Sequence, residues 1–552
     1  MSRAGILIPR GVSLDLFFSN SHHFSFSRIF TIFAFHRSKS SPFQVCTERR
    51  RLDSGLSSPS VLFFRSDDCS ARTGCRGLAR YASTSAAATK SSSLPPLDFP
   101  LENIVLPPPL PDSIELGKTK ITTLPNGLRI ASETSANPAA SIGLYVDAGS
   151  IYESPASYGA THLLERMAYK TTINRSHLRV VREVEAIGGN ITASSSRERM
   201  SYTSAALKTY VPQMVELLVD CVRNQAFLDW EVNEQLLKVR AEISEYSKNP
   251  HRLLLEAIHS TGYSGAYANC LLASEAAVSR LNSNVLENFV SEHYSAPRIV
   301  LAASGVEHEK LLEYAEPLLS DMPKDSKSVP AKPMYTGGDF RSQGDSGMTH
   351  FALAFELPGG WTKEKDAITL TVLKMLMGGG RSFSAGSPFS ASGPGKVVSL
   401  TSGLGPLKEH PQIRSFSAFS SIYNHTGLFG IQATAETKSA PEAMDIVCRE
   451  LLAVTSPADK VKLERAKQAT KSAILMNLES RMVASEDIGK QILTYGERKP
   501  VEQYLNAVDQ ITANDIVTVA KKLFSSPLTL ACYGDVYHLP CYDAVSSRFR
   551  RI

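Results

Sequence analysis

The chain has 552 residues, 43% of them hydrophobic and 20% charged, with a formal net charge of +5 at pH 7. That length exceeds one ordinary core, and the apolar content is ample for two or more domains. No uninterrupted apolar run reaches about 18 residues, which argues against a membrane span. Residues 1–81 hold twelve Lys and Arg against five acids; taking these from the totals of 59 and 54 leaves 47 against 49, or −2, for residues 82–552. Nucleic acid is therefore not an expected partner of the body of the protein.

Residues 1–81 combine scattered arginines and many serines with little acid, the composition of an organellar transit peptide. In "LARYAS", Arg80 stands two residues before Ala82, a pattern resembling mitochondrial presequence cleavage sites, which sets the expected cut after Tyr81. Residues 82–114 include "LPPLDFPLENIVLPPPLP", an extended arm whose prolines preclude a helix or a central strand. Folded sequence is expected over 115–322 and 348–552, joined by a linker over 323–347 that is rich in proline, glycine and serine. The eight cysteines show no C-x-x-C pair; five of them, Cys221, Cys270, Cys448, Cys532 and Cys541, would remain after the transit segment, as buried or incidental thiols.

In chain order, "KITTLPNGLRIASE" alternates apolar and polar residues around Asn126-Gly127 and predicts a hairpin in which both turn residues tolerate positive φ. "ASIGLYVDAGS" predicts a third strand and "GATHLLERMAYK", residues 159–170, a helix. The two blocks repeat one another. "SAPRIVLAASGV" and "SSPLTLACYGDV" each place a proline before an apolar strand and a glycine, and each follows long helical patterns that lead to a Tyr/Gly turn. "ASIGLYVDAGS" and "THFALAFELPGG" match near the block starts, so the order predicts a duplicated α+β domain.

On the helix, Ala160, Leu163, Leu164, Met167 and Ala168 form a core-facing stripe, while His162, Glu165, Arg166 and Tyr169 are expected to project together into a cleft. H-x-x-E alone also suits an ordinary amphipathic helix. In an inverted zincin motif, H-x-x-E-H, two histidines bind zinc and the glutamate takes a proton from the metal-bound water. Here the second histidine is replaced by Arg166, which is always protonated and has no lone pair to give. Glu242, on a later helical stretch, is available as the remaining ligand, but two ligands fall short of the three that catalytic zinc needs.

"MGGGRSFSAGSPFSASGPGK", residues 377–396, is neither a P-loop, since Val397 follows Gly395-Lys396, nor a G-x-G-x-x-G fingerprint. Its exposed backbone suits pairing with an extended peptide, with Phe383 and Phe389 as apolar contacts; an insertion without a ligand fits the composition equally well.

Long motifs in order, "GATHLLERMAYKTT", "VREVEAIGGNITASSSRERMSYT", "LDWEVNEQL", "GGGRSFSAG…GPGK" and "NLESRMVASEDIGKQILTYGERKPVEQYL", resemble the plant-type alpha subunits of mitochondrial processing peptidase, within the pitrilysin-type peptidases, over roughly residues 110–550. The resemblance implies an α+β fold of two homologous domains, each a largely antiparallel sheet backed by helices. It implies a noncatalytic substrate-recognition subunit with no cofactor of its own, paired with a beta subunit that carries zinc and cuts presequence peptides. It places His162, Glu165 and Arg166 on a degenerate metal motif, Glu242 at the third-ligand position and Gln235 where catalytic relatives have a further glutamate. Gly378, Gly379, Gly380, Ser382, Phe383, Ser384, Ala385 and Gly386 match the substrate-recruiting glycine-rich loop, with Arg381 replacing a glycine, whereas "VVSLTSGLGPLKEHPQIRS" after Lys396 departs from the family. The implied location is the mitochondrial matrix or the matrix face of the inner membrane. The alternative implied role is a structural core subunit of ubiquinol-cytochrome c reductase, with an autonomous zinc peptidase as a further alternative.

Overall fold

The computed structural model describes residues 118–324, 332–344, 347–378 and 413–550. The segments expected as transit peptide and proline-rich arm lie outside the described residues. The first half runs β1 (Lys120–Thr123), β2 (Arg129–Glu133), β3 (Ala139–Val146), α1 (Ala160–Met167), α2 (His177–Ala186), β4 (Asn190–Ser195), β5 (Met200–Leu207), α3 (Val211–Arg223), α4 (Asp229–Ser247), α5 (Pro250–Gly262), β6 (Tyr263–Ser264), α6 (Glu275–Val278), α7 (Ser283–His293), β7 (Ile299–Ser304) and α8 (His308–Leu319). The second half runs β8 (Met334–Tyr335), β9 (Gly338–Gln343), β10 (Met348–Pro358), α9 (Glu364–Leu376), β11 (Ile413–Ile422), β12 (Thr426–Glu436), α10 (Ala440–Ala453), α11 (Lys460–Leu478), α12 (Arg481–Tyr495), α13 (Val501–Asp509), α14 (Ala513–Phe524), β13 (Thr529–Gly534) and α15 (Tyr542–Phe549).

The strands form two mostly antiparallel sheets, β1-β2-β7-β3-β5-β4 and β11-β12-β10-β13-β9, and a small β6-β8 pair. The duplication is explicit in the register. β7 lies parallel to β2 and antiparallel to β3, as β13 lies parallel to β9 and antiparallel to β10. The matched proline–strand–glycine segments are thus the same strand of one repeated sheet. The fold is α+β, with helices on both faces of the central strands, which explains why β3, β7 and β12 are buried almost throughout, whereas edge strand β4 alternates.

Two expectations are corrected. The segment taken as a linker, 323–347, contains β8 and β9, and β9 is an edge strand of the second sheet, so the second domain begins before residue 348. In the β1–β2 turn only Gly127 has positive φ, at 91°. Asn126 is instead buried, its Nδ2 donating to the Leu319 carbonyl at 2.7 Å and its Oδ1 accepting from the Leu128 amide at 3.1 Å, which ties the turn to the end of α8.

The two halves exchange one helix each. α12, from the second half, covers the first sheet, where Ile488 and Ile492 are fully buried against Ala131, Tyr145, Val300 and Ala302. α5, from the first half, covers the second sheet, where Leu254, Ala257 and Ile258 meet Ala352, Ala354, Leu428 and Ala531. Small residues on both sheet faces let the helices approach closely. Polar contacts seal the α12 side: Ser485 Oγ lies 3.1 Å from Ser141 Oγ and 3.2 Å from the Tyr145 hydroxyl, and Arg129 donates to the Ile492 carbonyl at 2.7 Å. Burial of each isoleucine contributes about 1.5–3 kcal/mol, so neither sheet keeps its stability without the other half's helix.

The closest approaches occur at glycines. A Cβ on Gly489 would stand 2.2 Å from the Tyr145 ring, and one on Gly262 would stand 2.7 Å from Thr529 Oγ1. Gly489→Ala and Gly262→Ala should therefore each lower the unfolding free energy by about 1–3 kcal/mol in denaturant titrations. Parent-like midpoints for both would contradict the exchanged packing.

Candidate functional site

α1 starts from a glycine because its entry requires one. Gly159 has φ 84°, and a Cβ there would meet the Ala273 methyl at 2.5 Å. No side chain of the N-cap residue closes the helix end. The Glu153 carboxylate does so from outside, accepting from the Gly159 amide at 2.9 Å, the Thr161 amide at 2.9 Å and the Thr161 hydroxyl at 2.6 Å. Burial pushes this carboxyl up to about 7, while the bonds from Thr161 and Gly159 pull the other way. Glu153 holds the motif-bearing helix in place, and sequence reasoning missed it.

His162 is 3% exposed. Its Nε2 lies 3.1 Å from Glu242 Oε2 and its Nδ1 accepts, at 3.4 Å, from the Ala273 amide. With Nδ1 accepting, Nε2 carries the proton and donates to Glu242. Burial holds the imidazole pKa below its ordinary value against the opposing pull of Glu242, so the ring is neutral. Arg166 Nε donates to the same Glu242 Oε2 at 3.0 Å. Glu165 Oε1 lies 3.7 Å from the Arg166 guanidinium, and its Oε2 accepts from both the amide, at 2.9 Å, and the hydroxyl of Ser195 at the end of β4. Three motif residues and Glu242 thus form protein–protein contacts that tie α1 to α4 and to an edge strand.

These residues do not fit a catalytic zinc. His162 has both ring nitrogens engaged, Arg166 offers no lone pair, and its charge sits on the one carboxylate that could ligate. The glutamate that would accept a proton from metal-bound water is held by two donors of β4. Gln235, two turns before Glu242 on α4, is buried, and its Nε2 has no hydrogen-bond partner among the described residues. Tyr169 is corrected relative to the expected cleft stripe. α1 ends at Met167, Tyr169 adopts φ 60°, and its hydroxyl donates to the Thr192 and Thr203 carbonyls at 3.1 and 3.0 Å within the core. Of the glycine-rich loop, Gly378 follows α9 with φ 83°; Gly379, Gly380, Arg381, Ser382, Phe383, Ser384, Ala385 and Gly386 lie outside the described residues.

Arg166→His should leave the isolated chain without stoichiometric zinc or robust peptide cleavage, as metal analysis and a peptide assay would report, because Glu165 stays tied to Ser195 and Gln235 is unchanged. Robust turnover from that substitution would contradict the geometry. Glu153 makes a pH prediction. Its folded value lies above the ordinary 4.5, so its stabilising contribution is complete below about 4.5 and is lost as pH rises through about 7. Glu153→Gln should flatten that descent in unfolding free energy; parallel pH profiles for parent and variant would refute the buried-carboxylate reading.

Comparison with known proteins agrees with this geometry. Residues 129–275 match the insulinase family (peptidase family M16), and residues 280–470 match the M16 inactive domain. The chain is 66% identical over 495 residues to the Solanum tuberosum mitochondrial-processing peptidase subunit alpha, covering 87% of this chain and 97% of that one. It is 31% identical to the Bos taurus mitochondrial-processing peptidase subunit beta, covering 79% and 88%, and 30% identical to the Mus musculus cytochrome b-c1 complex subunit 1, covering 78% and 89%. The chain therefore belongs to the M16 peptidase family, on its mitochondrial-processing peptidase alpha-subunit side.

Proposed function

We propose that this chain is a mitochondrial, noncatalytic substrate-recognition subunit that pairs with a zinc-bearing beta subunit in removing presequences. The observation that carries the reading is the state of the motif: His162, Arg166 and Glu242 bind one another, and Glu165 is bound to Ser195. Hydrolysis is then the partner's task, and zinc belongs to the partner. The high identity to an alpha subunit, against 31% to a beta subunit, supports the assignment of roles. An autonomous zinc peptidase would need ligands that this helix pair has committed elsewhere.

Within this reading the glycine-rich segment after α9 recruits the presequence. The support for this is compositional: a segment rich in glycine and serine suits pairing with an extended peptide. A second reading, a core subunit of ubiquinol-cytochrome c reductase at the matrix face of the inner membrane, is supported by the 30% identity to a cytochrome b-c1 complex subunit, and the two roles are compatible.

The test is reconstitution of the full chain with its zinc-bearing partner, with and without residues 378–395. Deletion should weaken presequence affinity at least about tenfold, a loss of about 1.4 kcal/mol, while the heterodimer still forms. Unchanged affinity would favour the scaffold reading.

A further inference from the structure

The first turns of α4 are apolar on two sides. One stripe, Val232, Leu236 and Val239, is buried in the first-half core at 8% exposure or less. The opposite stripe carries Trp230 and Leu237, seven residues and so two turns apart, at 63% and 64% exposure. A surface helix keeps its apolar residues on one side, and a helix that is apolar all round is one that is buried all round.

Two further large apolar side chains stand on the neighbouring chain. Ile173 is 77% exposed, and Leu178, on the first turn of α2, is 60% exposed. The Ile173 amide donates to the Asn224 carbonyl at 2.9 Å and the Ala226 amide to the Thr171 carbonyl at 3.1 Å, so this loop runs beside the residues that lead into α4. Single apolar residues are ordinary on a surface, but four of this size on adjoining segments, one of them a tryptophan, have the make-up of a protein interface.

The charges around the patch decide between kinds of partner. Glu234 pairs with Lys238 at 2.8 Å, and Arg179 pairs with Glu183 at 2.7 Å. Glu231 accepts from the Thr171 hydroxyl at 2.8 Å, Asp229 from the Ser283 hydroxyl at 2.6 Å, and Lys170 Nζ lies 3.3 Å from His177 Nε2. With its acids engaged, the patch is poorly suited to an arginine-rich presequence, and with its cations engaged it is poorly suited to an anionic membrane surface. A charge-depleted apolar centre is instead what one folded protein buries against another. α4 also carries Glu242, five residues beyond Leu237 and so about 7.5 Å further along the axis, which sets the patch beside the α1–α4 site.

We infer that Ile173, Leu178, Trp230 and Leu237 form the surface on which the zinc-bearing beta-type partner docks, bringing the partner's chemistry alongside the motif-bearing helices of this chain. This rests on the proposed pairing with a beta-type chain and assigns that pairing a surface.

The experiment uses the full chain and its zinc-bearing partner. Trp230→Ala/Leu237→Ala is the variant, since both side chains are exposed and alanine preserves the helix; the unfolding midpoint of the isolated variant should stay parent-like. Heterodimer affinity, measured by calorimetry, should fall at least about tenfold. In a second measurement this chain alone carries 5-fluorotryptophan, and the Trp230 fluorine signal, assigned with Trp361→Phe, should lose its solvent exposure when the partner is added. Parent-like heterodimer affinity of the variant, or a Trp230 signal still open to solvent in the heterodimer, overturns the inference. So does a variant that loses only self-association, which makes the patch a contact between copies of this chain, or only presequence binding, which makes it a peptide site. Failure of the unsubstituted chain to assemble with the partner refutes the proposed function itself, and this inference with it.

Discussion

One carboxylate oxygen organises the candidate site. Glu242 Oε2 receives hydrogen bonds from the His162 imidazole and the Arg166 guanidinium, so α1 and α4 are joined by a charge-assisted contact. With Glu242 about one-third exposed, such a contact is worth about 1 kcal/mol, enough to fix local geometry but not to hold a fold together. Its larger consequence is chemical. The electron pairs a metal would require are already directed at protons of the same chain, and a guanidinium is fixed where a second imidazole would stand.

Stability comes from elsewhere. Each sheet is covered on one face by a helix from the other half, with Ile488 and Ile492 on one side and Leu254 and Ile258 on the other, so the two homologous domains share their cores. α5 follows directly on α4, which carries Glu242, and α5 packs on the second sheet, with Gly262 against Thr529 of β13. The degenerate motif is therefore held on a scaffold stiffened by both halves, and a shape inherited with the fold can persist after its chemistry has gone.

Much of this was legible in the sequence. The repeated proline, apolar strand and glycine at Pro297 and Pro527 identified equivalent strands because a buried parallel neighbour demands an unbroken apolar run. Arg166 identified the chemistry because no environment gives a guanidinium a lone pair at neutral pH. What was not legible depends on partners distant in the chain. The periodicity of α12 shows that one face is buried, but not that Tyr145 and Val300 of the other half bury it. Tyr169 fits the helical stripe by spacing, yet its backbone turns to φ 60° so that its hydroxyl can satisfy two strand carbonyls. Glu153, Ser195 and Ala273 engage the motif through contacts that no local pattern announces.

The central claim is that hydrolysis belongs to another polypeptide because this one has committed its ligands internally. Metal content and peptide cleavage of the isolated, unmodified mature chain test it most directly. Substoichiometric zinc and no turnover until the beta-type partner is added are the expected results. A divalent ion firmly bound by His162 and Glu242, with the lone chain cutting targeting peptides, would contradict it.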